Sequence, residues 1–106
     1  MITWKQALER AGCKPDDIIA WTAKTGRDEW DPDEPKPTIA TGEGPPTGEP
    51  WFERAFDDGY GGTEGWHFTV WTAERVYFPA CYDGSEWADS APRNPCPIPT
   101  EHIGGG

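Results

Sequence analysis

Cys81, Cys96, His67 and His102 in this 106-residue sequence are chemically fit to hold zinc. Structural zinc sites usually carry a closely spaced ligand pair that anchors the ion locally. Here the nearest pair, Cys96 and His102, brackets five residues that include two prolines. No metal site is expected, and no cofactor. Nucleophilic catalysis fares no better, because the sequence has no Gly-x-Ser-x-Gly and no Cys and His in a recognisable context. The run Asp57-Asp58-Gly59-Tyr60-Gly61-Gly62 has the glycines of a phosphate loop but no lysine, and its carboxylates would repel a phosphate. Asp57 and Asp58 are the residues that acid–base work would use, yet adjacent acids are also ordinary turn formers. The reading is that the chain is not an enzyme.

What remains is recognition, and charge decides its sign. The formal net charge is −10, and residues 28–64 carry eleven acids against two bases, Lys36 and Arg54. The remaining 69 residues are close to neutral, at −1. Such a block repels phosphate backbones and anionic membranes and attracts basic protein surfaces. The expected partner-binding residues are Asp28, Glu29, Trp30, Asp31, Asp33, Glu34, Trp51, Asp57 and Asp58. In this reading the carboxylates steer a basic protein surface, and Trp30 or Trp51 supplies the desolvated anchor. The plain alternative is a solvated, solubilising loop.

Aromatic residues offer a second route to binding. Seven Trp, four Phe and three Tyr are more than one thin core absorbs. On the strand bearing Trp66 and Phe68, Trp71 points to the opposite face. If that face is open, a Trp beside acids suits a protein partner or a sugar; if the helix and the long loop cover both faces, it is core.

The elements that position these residues are short. Apolar content is 35%, Leu8 is the only leucine, and Gly and Pro make up 25 residues, a balance that favours short strands and loops. Thr3 and Gln6 spell a capping box, followed by Trp4, Ala7, Leu8 and Ala11 at helical spacing and then Gly12 as terminator. Residues 14–25 admit two readings. Pro15-Asp16-Asp17 could open a helix, whereas Ile19, Trp21 and Ala23 alternate as a strand at about 18–24, which is preferred. Residues 26–50 hold six prolines and four glycines and predict a long acidic loop pinned by Trp30 and Ile39. A helical turn is expected over 51–56, then a glycine loop.

The second half alternates with period two. Strands are predicted at 66–72, 75–82 and 86–91, joined by turns at 72–75 and at Asp83-Gly84. In the middle strand Val76, Phe78, Ala80 and Tyr82 share one face and Arg75, Tyr77 and Cys81 the other, with Pro79 marking an edge or bulge. Trp4 and Leu8 are expected to pack on Phe68, Val76 and Phe78. Residues 92–106 should form an irregular tail. The fold class is therefore α+β in a single domain: a short N-terminal helix on a small antiparallel sheet, a three-stranded C-terminal meander with a fourth strand at 18–24. The three cysteines, odd in number and without close spacing, and a start that lacks a secretory pattern point to a cytoplasmic protein with reduced thiols.

The stretch FTVWTAERVYFPACYDGSEWADSAPRNP, with FDDGYGGTEG before it, resembles small acidic proteins of bacterial viruses and prophages, a group with no assigned activity to carry over. The resemblance covers about half the chain. It implies a small inhibitor, active in the host cell, that blocks a basic host or defence protein, a nucleic-acid-binding one such as a CRISPR effector included, in some cases by imitating a nucleic-acid backbone. The alternatives are a carbohydrate or small-ligand module using exposed Trp and carboxylates, or a small accessory structural protein.

Overall fold

A computed structural model describes residues 1–25, 38–56, 66–82 and 85–102. It is α+β and mostly sheet. Helix α1 spans Trp4–Arg10, a 3₁₀ turn spans Pro15–Asp17, and β1 spans Ala20–Thr25. These are followed by β2 (Thr38–Glu43), α2 (Pro50–Glu53), β3 (Phe68–Trp71), β4 (Arg75–Tyr82) and β5 (Ser85–Pro92). The strands form one antiparallel sheet in the order β2-β1-β3-β4-β5.

Local chemistry sets both ends of α1. The Gln6 amide donates to Thr3 Oγ1 at 3.1 Å, and the Thr3 amide donates to Gln6 Oε1 at 3.0 Å, completing the capping box. At the other end Gly12 turns left-handed, with φ 94°. The Gly12 amide donates to Glu9 O and the Cys13 amide to Leu8 O, the paired bonds of a Schellman cap. That cap folds Cys13 back beneath the helix, where it is buried beside Leu8.

Both readings of 14–25 hold a part of the answer. Pro15 opens a single 3₁₀ turn, and the chain then extends into β1, where Trp21 and Ala23 enter the core. Ile18 is buried, while Ile19, expected on the inner face, is largely exposed. The long loop expected over 26–50 is overturned in part, because Thr38–Glu43 is an edge strand paired along β1. The backbone partner that makes it a strand lies some twenty residues away in sequence, so local composition hid it. Ile39 does not pin this segment; it is 71% exposed on β2.

The core lies on one face of the sheet, beneath α1 and α2. Trp4, Leu8, Trp51, Phe52 and Val70 are sealed from solvent. Trp51 stacks on Phe68 with ring centroids 5.4 Å apart, and Trp4 meets Phe68 edge-on at 4.8 Å. Phe68 is the helix partner expected of it. Val76 and Phe78 are not, since both remain partly exposed and Tyr77 is buried instead. The register explains the reversal: Tyr77 pairs with Val70, so it shares that residue's inner face. Both faces of β4 are apolar or aromatic, so alternation favoured the richer set, which turns outward. Pro79 lies beyond the two residues of β4 that pair with β3, at a locally unpaired edge where its missing N–H breaks no bond.

Candidate functional site

Trp51, expected as a partner anchor, belongs to the core. It is fully buried between Trp21, Phe52 and Phe68, at 5.5, 5.5 and 5.4 Å, because α2 presses it onto the sheet. Asp28, Glu29, Trp30, Asp31, Asp33, Glu34, Asp57 and Asp58 lie outside the described residues. What is described is where the chain leaves and re-enters around them. Thr25 and Thr38, which flank 26–37, are register partners on β1 and β2. The chain returns from 57–65 at Trp66, next to that same end, for the Lys24 amide donates to His67 O at 2.9 Å and Ala23 pairs with Phe68. Phe56 is close by: it packs on Trp4 at 4.7 Å, and the indole N–H of Trp4 donates to Trp66 O at 2.9 Å. Tyr82 and Ser85, flanking 83–84, close the β4–β5 pair at the same end of the sheet, because β4 runs antiparallel to β3.

The charge consequences follow from the sequence. The stretches attached at this end hold nine acids, counting Asp83, against Arg27 and Lys36. At the other end Glu43 and Glu74, with Asp16 and Asp17 just ahead of β1, are accompanied by Lys14, Arg75 and Arg93, a net charge of −1. The Arg93 guanidinium donates to Thr72 O at 3.0 Å and its amide to Glu74 O at 2.9 Å, tying the start of the tail to the β3–β4 turn.

A second arrangement was only half visible in the sequence. The sheet face away from the helices carries Trp71 on β3, Val76, Phe78 and Ala80 on β4, and Trp87, Asp89 and Ala91 on β5. Their alignment follows from the register: Trp71 pairs with Val76, Val76 with Ala91, Phe78 with Asp89 and Ala80 with Trp87. All of these side chains are partly exposed, and Tyr82 further along is 53% exposed. The Trp87 indole N–H donates to Asp89 Oδ2 at 3.1 Å, and Asp89 Oδ1 accepts from the Ser90 amide at 2.8 Å. A carboxylate is thus fixed beside an indole and opposite a phenyl ring. Spacing Trp87 and Asp89 two apart on a strand was the available signal; Phe78 was masked by its expected place in the core.

The residues considered for metal are scattered. Cys81 is exposed on β4 and His67 is exposed just before β3. Cys96 and His102 both line a shallow cleft of about 420 Å³ between the tail and Arg75, Asp89 and Ser90. Among the described residues no group of three or more His, Cys, Asp or Glu is placed to hold a metal ion. Cys13, Cys81 and Cys96 are all free thiols. Burial, helped by the Asp17 carboxylate, pushes the Cys13 thiol up to about 11. Burial also raises the Tyr77 phenol, reinforced by Cys13 and Asp17 and opposed by Arg75.

No family model, no curated protein and no solved structure matches this chain. Among the described residues no helix is long and apolar enough to cross a membrane.

Proposed function

We propose that this chain is a small acidic binding protein, of the kind bacterial viruses encode, that blocks a host or defence protein by occupying its basic surface. One observation carries the reading. The described residues that flank the acid-rich stretches 26–37 and 57–65, and those that flank Asp83 and Gly84, lie at one end of the sheet, so these stretches are all tethered at that end. Concentrated charge of one sign raises the encounter rate with a complementary partner and rejects nucleic acid and anionic membranes. Because the net −10 is large for 106 residues, self-association through this end is disfavoured and a basic partner is the complement.

The test starts with affinity capture from a bacterial lysate, followed by association kinetics with the purified partner across salt. Neutralising Asp28, Glu29, Asp31, Asp33 and Glu34 together should slow association and flatten its salt dependence. An unchanged rate and salt dependence would reduce the acid block to a solubilising loop.

A further inference from the structure

We infer that the outward face of β3–β5 is a docking surface for an arginine-bearing segment of a basic protein, with Trp71, Phe78 and Trp87 as the aromatic platform and Asp89 as the fixed carboxylate. This rests on the acidic-binder reading and moves its apolar anchor from Trp51, which the core consumes, to this face.

The argument starts from the pairing. Phe78 and Asp89 stand directly opposite each other on β4 and β5, and Trp87 is the next outward residue on β5. Neighbouring strands run about 4.8 Å apart, so a ring, a carboxylate and an indole lie within the span of one side chain. The Trp87–Asp89 hydrogen bond holds the indole and the carboxylate in a fixed relation before any partner arrives. Asp89 Oδ1 and Oδ2 each accept one bond here, and a carboxylate has about four acceptor positions, so acceptor capacity is left over. A guanidinium fits such a group better than an ammonium does. It is planar, stacks on aromatic faces, and presents donors in a fork that matches a carboxylate.

Charge complementarity selects the partner. A second copy of this chain would bring −10 against −10, whereas a basic surface is attracted both by the net charge and by the Asp89 carboxylate on this face. In a specific interface desolvated aromatics carry affinity, while charge sets rate and selectivity.

Deca-arginine and deca-lysine peptides, equal in charge, separate the two layers of the argument. Each is titrated into the full chain while ¹H–¹⁵N spectra follow the backbone and the Trp71 and Trp87 indole signals. Deca-arginine should bind about two- to fivefold more tightly than deca-lysine, the range expected for exposed cation–π contacts. It should shift the Trp87 indole and the amides of Phe78 and Asp89. That preference should disappear in Trp87→Ala and shrink in Asp89→Asn, which keeps an oxygen acceptor for the indole but removes the charge. Retained amide dispersion certifies that each variant is folded. Equal affinity for the two peptides, or a preference that survives both variants, overturns the docking face while salt-sensitive binding leaves the acidic-binder reading standing. Absence of binding by either peptide, or binding insensitive to salt, overturns both. Shifts of Trp71 and Trp87 on adding laminarihexaose, without shifts from deca-arginine, would overturn the assignment in favour of a sugar.

Discussion

The indole of Trp21 packs directly against Gly42, its register partner on the neighbouring edge strand. A β carbon placed on residue 42 would stand 2.5 Å from Cζ2 of that ring and 2.6 Å from Cε2, far inside van der Waals contact. The ring is anchored from below by Trp51 at 5.5 Å, so it has little room to retreat. Edge strand β2 is therefore held to the core by an aromatic side chain filling the place that glycine leaves empty.

Gly42→Ala should destabilise the protein by about 1–3 kcal/mol, the usual range for overpacking a close contact. Urea denaturation measures it. In a Trp21→Leu background the same substitution should be far less harmful, because the clashing ring is gone. Equal effects in both backgrounds would place the strain elsewhere.

Trp4 and Trp51 are both fully buried, yet among the described residues only Trp4 finds a partner for its N–H. Trp4 donates to Trp66 O at 2.9 Å, whereas Trp51 Nε1 finds no acceptor among the described residues. A buried unpaired donor costs about 1–3 kcal/mol, so Trp51→Phe removes a penalty along with some volume. Trp4→Phe loses a made bond and strands a carbonyl. Trp4→Phe should therefore be the more damaging by about 1 kcal/mol or more in chemical denaturation, and a reversed order would contradict the bonding described.

Leu8 is 1% exposed and sits where the Schellman cap turns the chain under α1. Leu8→Ala should lower stability by about 2–5 kcal/mol, a large share of what a small domain has. Thermal denaturation by circular dichroism reads it directly, and an unchanged midpoint would show that α1 is not packed on the sheet.

Cys13 and the two exposed thiols should separate in reactivity. Cys81 and Cys96 should react with a thiol reagent at pH 8 within the mixing and labelling time, while Cys13 waits for unfolding. Stability should also carry a signature. The Cys13 pKa rises from 9.0 to about 11 on folding, so the folded state holds its proton longer. Its contribution is complete below pH 9 and is lost as pH climbs from 9 through 11. For a shift of this size that is about 2–3 kcal/mol. Tyr77, raised in the same direction, adds to the alkaline loss. In Cys13→Ala the decline above pH 9 should be shallower; an identical slope would assign it to other groups.

Features governed by neighbours in sequence were legible from the residues alone. Thr3 and Gln6 cap α1 and Gly12 ends it because each acts within four residues of its partner. Strands β3, β4 and β5 follow from period-two alternation and short connections. The outward direction of Trp71 was readable by the same rule, as was the concentration of acids between 28 and 64.

Tertiary pairing decided the rest. Thr38–Glu43 became a strand only because β1 offers it hydrogen bonds, against a Pro- and Gly-rich context. Tyr77 rather than Phe78 faces the core because β4 is held in register by Val70, and a shift of one residue would exchange the two faces. Trp51 is core rather than anchor because α2 lays it on Phe68. The ends of three separate acidic stretches meet because antiparallel strands bring distant residues together, a relation that no local pattern encodes. Composition and periodicity determined which pieces exist; the sheet register, a set of long-range hydrogen bonds, determined which side chains face inward and which face outward.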